Sequence, residues 1–260
     1  DESIRHAITK FAHIHFPACN GARERIIRLG ENPKHVHMVG CPRIDLVAEL
    51  LSDVKFGIDS NLFSSGVGNP IDLNKPFILV SQHPVTTEFG EGQQQILNTL
   101  EAVRSINVPA IVLWPNSDAG SDDISQGIRK WREKKLDSNM HFFKNLPIED
   151  YILLMNKTSC LLGNSSSGIR EGAFIGTPVV NIGTRQNARD RGKNVIDVNY
   201  NKKEILNAID FVLSNKKFIA NCKSNYNPYG RGNVSKRFIE FIKSLDLKNK
   251  EKILRKKITV

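Results

Sequence analysis

The middle of the chain alternates between short, mainly apolar runs and longer stretches whose apolar residues recur at helical spacing. The runs fall at 77–81, 110–114, 140–143, 160–162, 179–182 and 195–198. Continuous apolar character over so few residues predicts strands covered on both faces, which is the signature of a parallel sheet. The intervening stretches predict helices at 94–104, 124–133, 148–155 and 169–175, with two more at 203–213 and 234–245. Strands regularly separated by helices define an α/β class with an open parallel sheet. Upstream, Ile4, Ala7, Ile8 and Phe11 predict a helix over 1–13, followed by strands at 14–16 and 36–39 and helices at 23–29 and 44–51. Residues 57–75, rich in Gly, Ser, Asn and Asp, read as a linker, and 225–232 as a break in direction.

At 260 residues the chain can hold one large or two modest domains. Thirty-seven Lys and Arg against 27 Asp and Glu leave a formal charge of +10, which admits nucleic acid, an anionic surface or phosphorylated ligands. Much of the excess lies in Lys248, Lys250, Lys252, Arg255, Lys256 and Lys257, expected to form a solvated basic tail over 248–260. No basic stripe interleaved with aromatics is present, so no nucleic-acid partner is expected. Cys19, Cys41, Cys160 and Cys222 are scattered without a C-x-x-C pair, which fits reduced thiols and a cytoplasmic protein. No long apolar span is visible, and no membrane partner is expected.

Between the fourth run and its helix lies the turn Gly163-Asn164-Ser165-Ser166-Ser167-Gly168. Small residues let backbone N–H groups approach an anion at a helix start, and the hydroxyls of Ser165 and Ser166 add donors suited to a diphosphate. Glu171, four residues after Ser167, is spaced to accept ribose hydroxyl protons from the same face. The same residues also fit an ordinary serine N-cap with a solvated glutamate.

The series Gly163-Asn164-Ser165-Ser166, Gly168-Ile169-Arg170-Glu171, Gly176-Thr177-Pro178-Val179-Val180-Asn181 and Gly183-Thr184-Arg185-Gln186 resembles the nucleotide-binding segment of the hydrolysing UDP-N-acetylglucosamine 2-epimerases. The similarity includes the epimerase half of the bifunctional enzyme that begins sialic acid synthesis. The resemblance implies a glycosyltransferase-B-like fold: a Rossmann-like parallel-sheet domain over 76–225, and at 1–56 the remnant of a second Rossmann-like domain. Residues 57–75 would link them, and a C-terminal helix over 226–247 would return toward the remnant. Family members carry a longer N-terminal domain, so part of the carboxylate set is expected outside this chain.

Ligands of open α/β sheets bind beyond the carboxyl ends of the strands, which directs attention to the residues after each run. A lone His83 after the first run also fits a structural role, whereas the resemblance makes it a catalytic-site histidine against phosphate and sugar. Asn116 and Asp118 stand in an Asx-rich loop that the resemblance sets beside the nucleotide-sugar. Tyr151 follows the third run, where related enzymes stack against uracil. Arg185 can face a diphosphate and ranks above Arg170, which also fits a surface position. Asp1 and Glu2 by themselves suit the positive end of a helix, and only the resemblance makes them active-site carboxylates, with Arg5 beside them.

The chemistry so implied is anti elimination of UDP across C1 and C2 of UDP-N-acetylglucosamine, then hydration to N-acetylmannosamine. It needs no cofactor and no metal, and the complete protein is expected to be a homo-oligomer. A relative acting on another UDP-amino sugar, such as a diacetamido sugar, and a non-catalytic UDP-sugar-binding module are the alternatives.

Overall fold

The structure, a computed structural model, describes residues 2–53, 57–136, 138–224, 226–246, 248, 251 and 256, with Glu2 described through its backbone alone. The chain divides into two compact units, Asp1–Glu49 with Asn227–Val260, and Leu50–Tyr226.

The larger unit is built on a seven-stranded sheet of order β1-β4-β3-β2-β5-β6-β7. The strands are β1 (Val67–Gly68), β2 (Ile78–Ser81), β3 (Ala110–Leu113), β4 (Met140–Phe143), β5 (Cys160–Gly163), β6 (Val179–Ile182) and β7 (Val195–Val198). Strands β2 to β7 pair in parallel, and counted from β2 their order is 3-2-1-4-5-6, the doubly wound arrangement. The order reverses between β2 and β5, which pair from Ile78↔Cys160 to Ser81↔Gly163. Their side chains are almost wholly buried because helices cover both faces.

Helix α4 (Gly92–Ile106) buries Ile96, Leu100 and Val103, one apolar stripe at spacings of four and three. It ends where Asn107 takes the left-handed conformation at φ 58°. Helix α5 (Ser121–Glu133) buries Ile124, Ile128 and Trp131 in the same core. Helix α6 (Ile148–Lys157) joins β4 to β5. Helix α9 (Lys202–Ser214) starts at Asn201, whose side chain accepts from the N–H groups of Lys203 and Glu204.

Several local expectations change. The segment 57–75 contains a 3-10 turn (Leu62–Ser65) and β1, an antiparallel edge strand in which Val67 pairs with Phe142 and Gly68 with His141. Its glycines permit that pairing, since a Cβ on Gly66 would lie 2.3 Å from His141 Nε2 and one on Gly68 2.4 Å from the Met140 carbonyl oxygen. The helix expected at 169–175 is two short ones, α7 (Ser166–Ile169) and α8 (Glu171–Ile175), broken at Arg170. Helix α10 (Lys216–Cys222) adds to the expected elements; Asn215 caps it by accepting from the Phe218 N–H.

In the smaller unit, helices α1 (Glu2–Phe11), α2 (Asn20–Arg28) and most of α3 (Pro42–Ser52) form, whereas the strands expected at 14–16 and 36–39 reduce to one parallel bridge, His15↔Val36. Helix α11 (Val234–Ser244) takes its cap from within this unit: Asp45 accepts from the N–H groups of Val234 at 2.9 Å and Ser235 at 2.7 Å. Phe238 and Phe241 meet the Phe16 ring edge-on. The periodic residues Ile4, Ile8 and Phe11 of α1 are exposed rather than core.

Lys256 departs from the solvated tail. Its ammonium donates to the carbonyls of Thr9, Lys10 and Ala12, the unsatisfied end of α1, and lies 2.8 Å from the buried Glu31 carboxylate. Lys250, Lys252, Arg255 and Lys257 lie outside the described residues. Glu31 also meets Lys10 and His15, each at 3.1 Å. Burial pushes the Glu31 carboxyl up, but these hydrogen bonds more than offset it and hold its pKa below the usual value. Lys256→Ala is expected to destabilise the unit by about 1–3 kcal/mol in chemical denaturation. Because the folded pKa is depressed, the Glu31 contribution is present above the ordinary carboxylate range and lost as pH falls through the folded value. An unchanged midpoint in the variant would return Lys256 to the solvated tail.

Candidate active site

The loops after β2, β3, β5 and β6 converge where the strand order reverses, and one buried side chain joins two of them. Asn164, fully buried just after β5, accepts from the His83 N–H through Oδ1 at 2.7 Å and donates through Nδ2 to the His83 carbonyl at 2.8 Å. Its own carbonyl accepts from Gln186 Nε2 at 2.7 Å and Arg185 Nη1 at 3.3 Å, tying in the loop after β6.

The His83 imidazole accepts at Nδ1 from the Asn116 backbone N–H at 3.2 Å. With Nδ1 an acceptor, the neutral ring carries its proton on Nε2, which donates to Ser81 Oγ at 3.3 Å. Burial and the nearby Arg185 cation outweigh the pull of Asp118 and the Asn116 hydrogen bond, and lower the His83 pKa to about 4. At neutral pH the group is therefore an uncharged hydrogen-bond donor.

The serine turn stands beside it. Ser165 is the N-cap of α7, and its Oγ lies 2.8 Å from Ser167 Oγ, which meets Tyr151 OH at 2.5 Å. Burial raises the Tyr151 pKa, so the phenol stays protonated. Ser166 Oγ accepts from Arg170 Nη2 at 3.2 Å, and Arg170 Nε lies 3.5 Å from the Glu171 carboxylate. Glu171 is buried at the start of α8 and not solvated, and the single helix expected to carry it with Ser167 is broken at Arg170. A four-residue α7 also has little macrodipole, which shifts the binding of an anion onto hydroxyls, backbone N–H groups and cations.

Arg185 Nη2 donates to Asp118 Oδ2 at 3.1 Å, and Asn116 Nδ2 donates to the same oxygen at 2.7 Å. The bonds to Asp118 and Asn164 occupy a minority of the guanidinium's five N–H donors. The structure thus brings His83, Asn116, Asp118, Tyr151, Ser165, Ser166, Glu171 and Arg185 to one end of one sheet. Asp1 and the side chain of Glu2 lie outside the described residues, and Arg5 is exposed on α1 in the other unit.

The linear sequence assigns no role to Asn164 and Gln186, both buried, and Arg170, read as also fitting a surface position, bonds Ser166 in the turn. Asn and Gln carry no local mark of such a role. Arg170 could have been found from its one-turn spacing to Ser166. Glu88, which bonds Gln95 at 2.8 Å and accepts from Thr184 Oγ1, adds a carboxylate to the same rim.

A cavity of about 520 Å³ opens at the opposite, amino-terminal end of the strands, lined by Pro76, Thr158, Thr177, Pro178 and Leu213 among others. Among the described residues its lining carries ionisable side chains at Lys157 and Lys223 alone, so the convergence of acid, base and anion-binding groups favours the carboxyl end. Among the described residues no group of three His, Cys, Asp or Glu could hold a metal ion, and no helix is long and apolar enough to cross a membrane.

Comparison with known proteins agrees with this fold. Residues 1–243 match the family model described as UDP-N-acetylglucosamine 2-epimerase. The chain is 33% identical over 248 residues to a hydrolysing UDP-N,N'-diacetylbacillosamine 2-epimerase of Legionella pneumophila, covering 95% of this chain and 62% of the relative. It is 32% identical over 248 residues to a UDP-N-acetylglucosamine 2-epimerase of Neisseria meningitidis, covering 93% and 60%. The crystal structure of UDP-GlcNAc 2-epimerase from N. meningitidis bound to UDP-GlcNAc superposes with a TM-score of 0.72 at 17% identity, covering 91% of this chain and 63% of that one. The shared fold is α/β and glycosyltransferase-B-like. The chain thus spans about 60% of the length of these relatives. With the doubly wound sheet and the family match extending over nearly all its residues, the chain belongs to the UDP-N-acetylglucosamine 2-epimerase family.

Proposed function

We propose that this chain is part of a hydrolysing UDP-N-acetylglucosamine 2-epimerase, cytoplasmic and homo-oligomeric when complete. In this reading residues 76–225 hold UDP, while 1–56 and 226–247 belong to the other half of the catalytic domain. The observation that carries it is the meeting of His83, Arg185 and the serine turn where the strand order reverses. Arg185 and the serine turn take the diphosphate, Glu171 the ribose hydroxyls, and Tyr151 the neighbourhood of the uracil. Asn116 and Asp118 lie toward the sugar.

In the reaction a carboxylate, Asp1 or Glu2, removes the C2 proton as the C1–O bond breaks on the opposite side. His83 donates a hydrogen bond to the departing diphosphate, and 2-acetamidoglucal remains. Water then adds its oxygen to C1 and a proton to C2, giving N-acetylmannosamine. Each positioned acid or base contributes about 10²–10⁴ in rate.

The test is incubation of the complete protein with UDP-N-acetylglucosamine and NMR identification of the released sugar. The name of the L. pneumophila relative favours a second reading, in which the substrate is a UDP-diacetamido sugar. Turnover of that sugar alone would select it, and UDP binding without turnover of either would leave a non-catalytic binding module. Sialic acid or another surface glycan is the product's expected destination.

Glu171 offers a test of nucleotide binding by itself. Because its carboxylate is already buried, its contact with ribose costs little further desolvation, and Glu171→Gln is expected to weaken UDP by about 1–3 kcal/mol. Calorimetry showing unchanged affinity would remove the ribose assignment.

A further inference from the structure

The β2–β5 ladder ends at Ser81↔Gly163, where the Asn164 N–H still donates to the Ser81 carbonyl at 3.1 Å. Beyond that point the side-chain amide of Asn164 takes over the pairing, donating to and accepting from the His83 peptide as another strand residue would. We propose that Asn164 is a positioning residue that holds the His83 peptide so that the imidazole is set against the serine turn.

The role demands an amide. A carboxylate can only accept, so it loses the bond to the His83 carbonyl, and an aliphatic side chain loses both bonds. Both groups of the His83 peptide are engaged by this one side chain, whereas the imidazole is held separately, by Asn116 at Nδ1 and Ser81 at Nε2. Those two ring contacts form only if the peptide is held at the right height along β2. The backbone carbonyl of Asn164 bonds Arg185 and Gln186, so one residue sets the spacing between the imidazole, the diphosphate-binding cation and the turn. Release of the peptide frees the ring to leave its buried position beside Arg185, which with Asp118 is the charged group acting on it.

The inference rests on the functional reading of His83 given above, but its test does not. In the nucleotide-free chain, ¹⁵N NMR of the His83 ring is expected to show Nδ1 unprotonated and a titration midpoint near 4. The Asn164→Ala variant is expected to unfold cooperatively, with the His83 midpoint raised by at least about one unit toward the unperturbed value and the tautomers mixed. In a complete enzyme the same change is expected to lower kcat about 100-fold while KM moves less than about fivefold.

If Ala does not fold, the near-isosteric Asn164→Asp is read through the tautomer rather than the midpoint, because its carboxylate would raise the midpoint by itself. The parent chain supplies a measurement that needs no variant: amide exchange at His83 as slow as within β2 supports the staple. An unprotected His83 amide, or a folded variant with unchanged ring midpoint and tautomer, would overturn it. Absence of UDP binding by the parent would overturn the nucleotide reading and leave the His83 measurements standing.

Discussion

Replacing His83 by alanine in a complete enzyme is expected to lower kcat by about 10²–10⁴ while leaving UDP affinity within a few fold. Nucleotide affinity survives because the serine turn, Arg185 and Glu171 carry it, whereas the imidazole contributes as C1–O cleavage proceeds and charge builds on the departing diphosphate. The neutral state suits this role, because the Nε2–H that donates to Ser81 Oγ in the nucleotide-free chain can be exchanged onto the diphosphate without placing a second cation beside Arg185. The same depressed pKa makes a stability prediction. An unfolded histidine binds its proton near pH 6.5, whereas folded His83 does so near 4, so the unfolded state holds more protons between them. The stabilisation is fully present above pH 6.5 and is lost as pH falls through about 4. His83→Gln is expected to make that decline shallower, as measured by denaturation at a series of pH values. Turnover in the alanine variant equal to that of the parent would assign His83 a purely structural role.

Gly163→Ala is expected to cost about 3–5 kcal/mol and to abolish UDP binding with the fold of the site. Two separate penalties add. Gly163 has φ 128°, which strains any L side chain by about 1–3 kcal/mol. A Cβ there would also lie 2.2 Å from the Ser81 carbonyl oxygen, with backbone on both sides that cannot turn away. Gly163 pairs with Ser81, so relief requires β2 and β5 to separate at the centre of the sheet, overpacking of about 1–3 kcal/mol or more. At about 2–4 °C per kcal/mol for a unit of this size, the melting temperature falls by roughly 10 °C. Gly90→Ala is the control. Its φ is 90°, but no atom lies within 4 Å of the added carbon, so the backbone strain stands alone. Equal melting temperatures for the two variants would show that the close approach of Gly163 to Ser81 carries no energy.

The mainly apolar runs determined by themselves where the six parallel strands form: β2 to β6 are buried on both faces and therefore largely apolar, and the half-buried edge strand β7 keeps three apolar residues of four. The stripe of Ile96, Leu100 and Val103 did the same for α4, since a covering helix needs one apolar face. The series around Gly163 carried the family resemblance, and its reading as a phosphate-binding turn is the one proposed above. What local pattern cannot carry is the partner of each element. Residues 57–75 look polar and flexible, yet become an edge strand because β4 offers unpaired backbone groups and Gly66 and Gly68 admit its approach. Ile4, Ile8 and Phe11 have the spacing of a core helix and are exposed, because periodicity reports a face and not what covers it. Asn164, Gln186 and Lys256 read as ordinary polar residues in a linear sequence, and Glu171 reads equally as a ribose acceptor or a solvated glutamate. Burial made each of them specific, since a polar group removed from water needs partners, and those partners are brought near only by the order in which the strands pair and the chain returns.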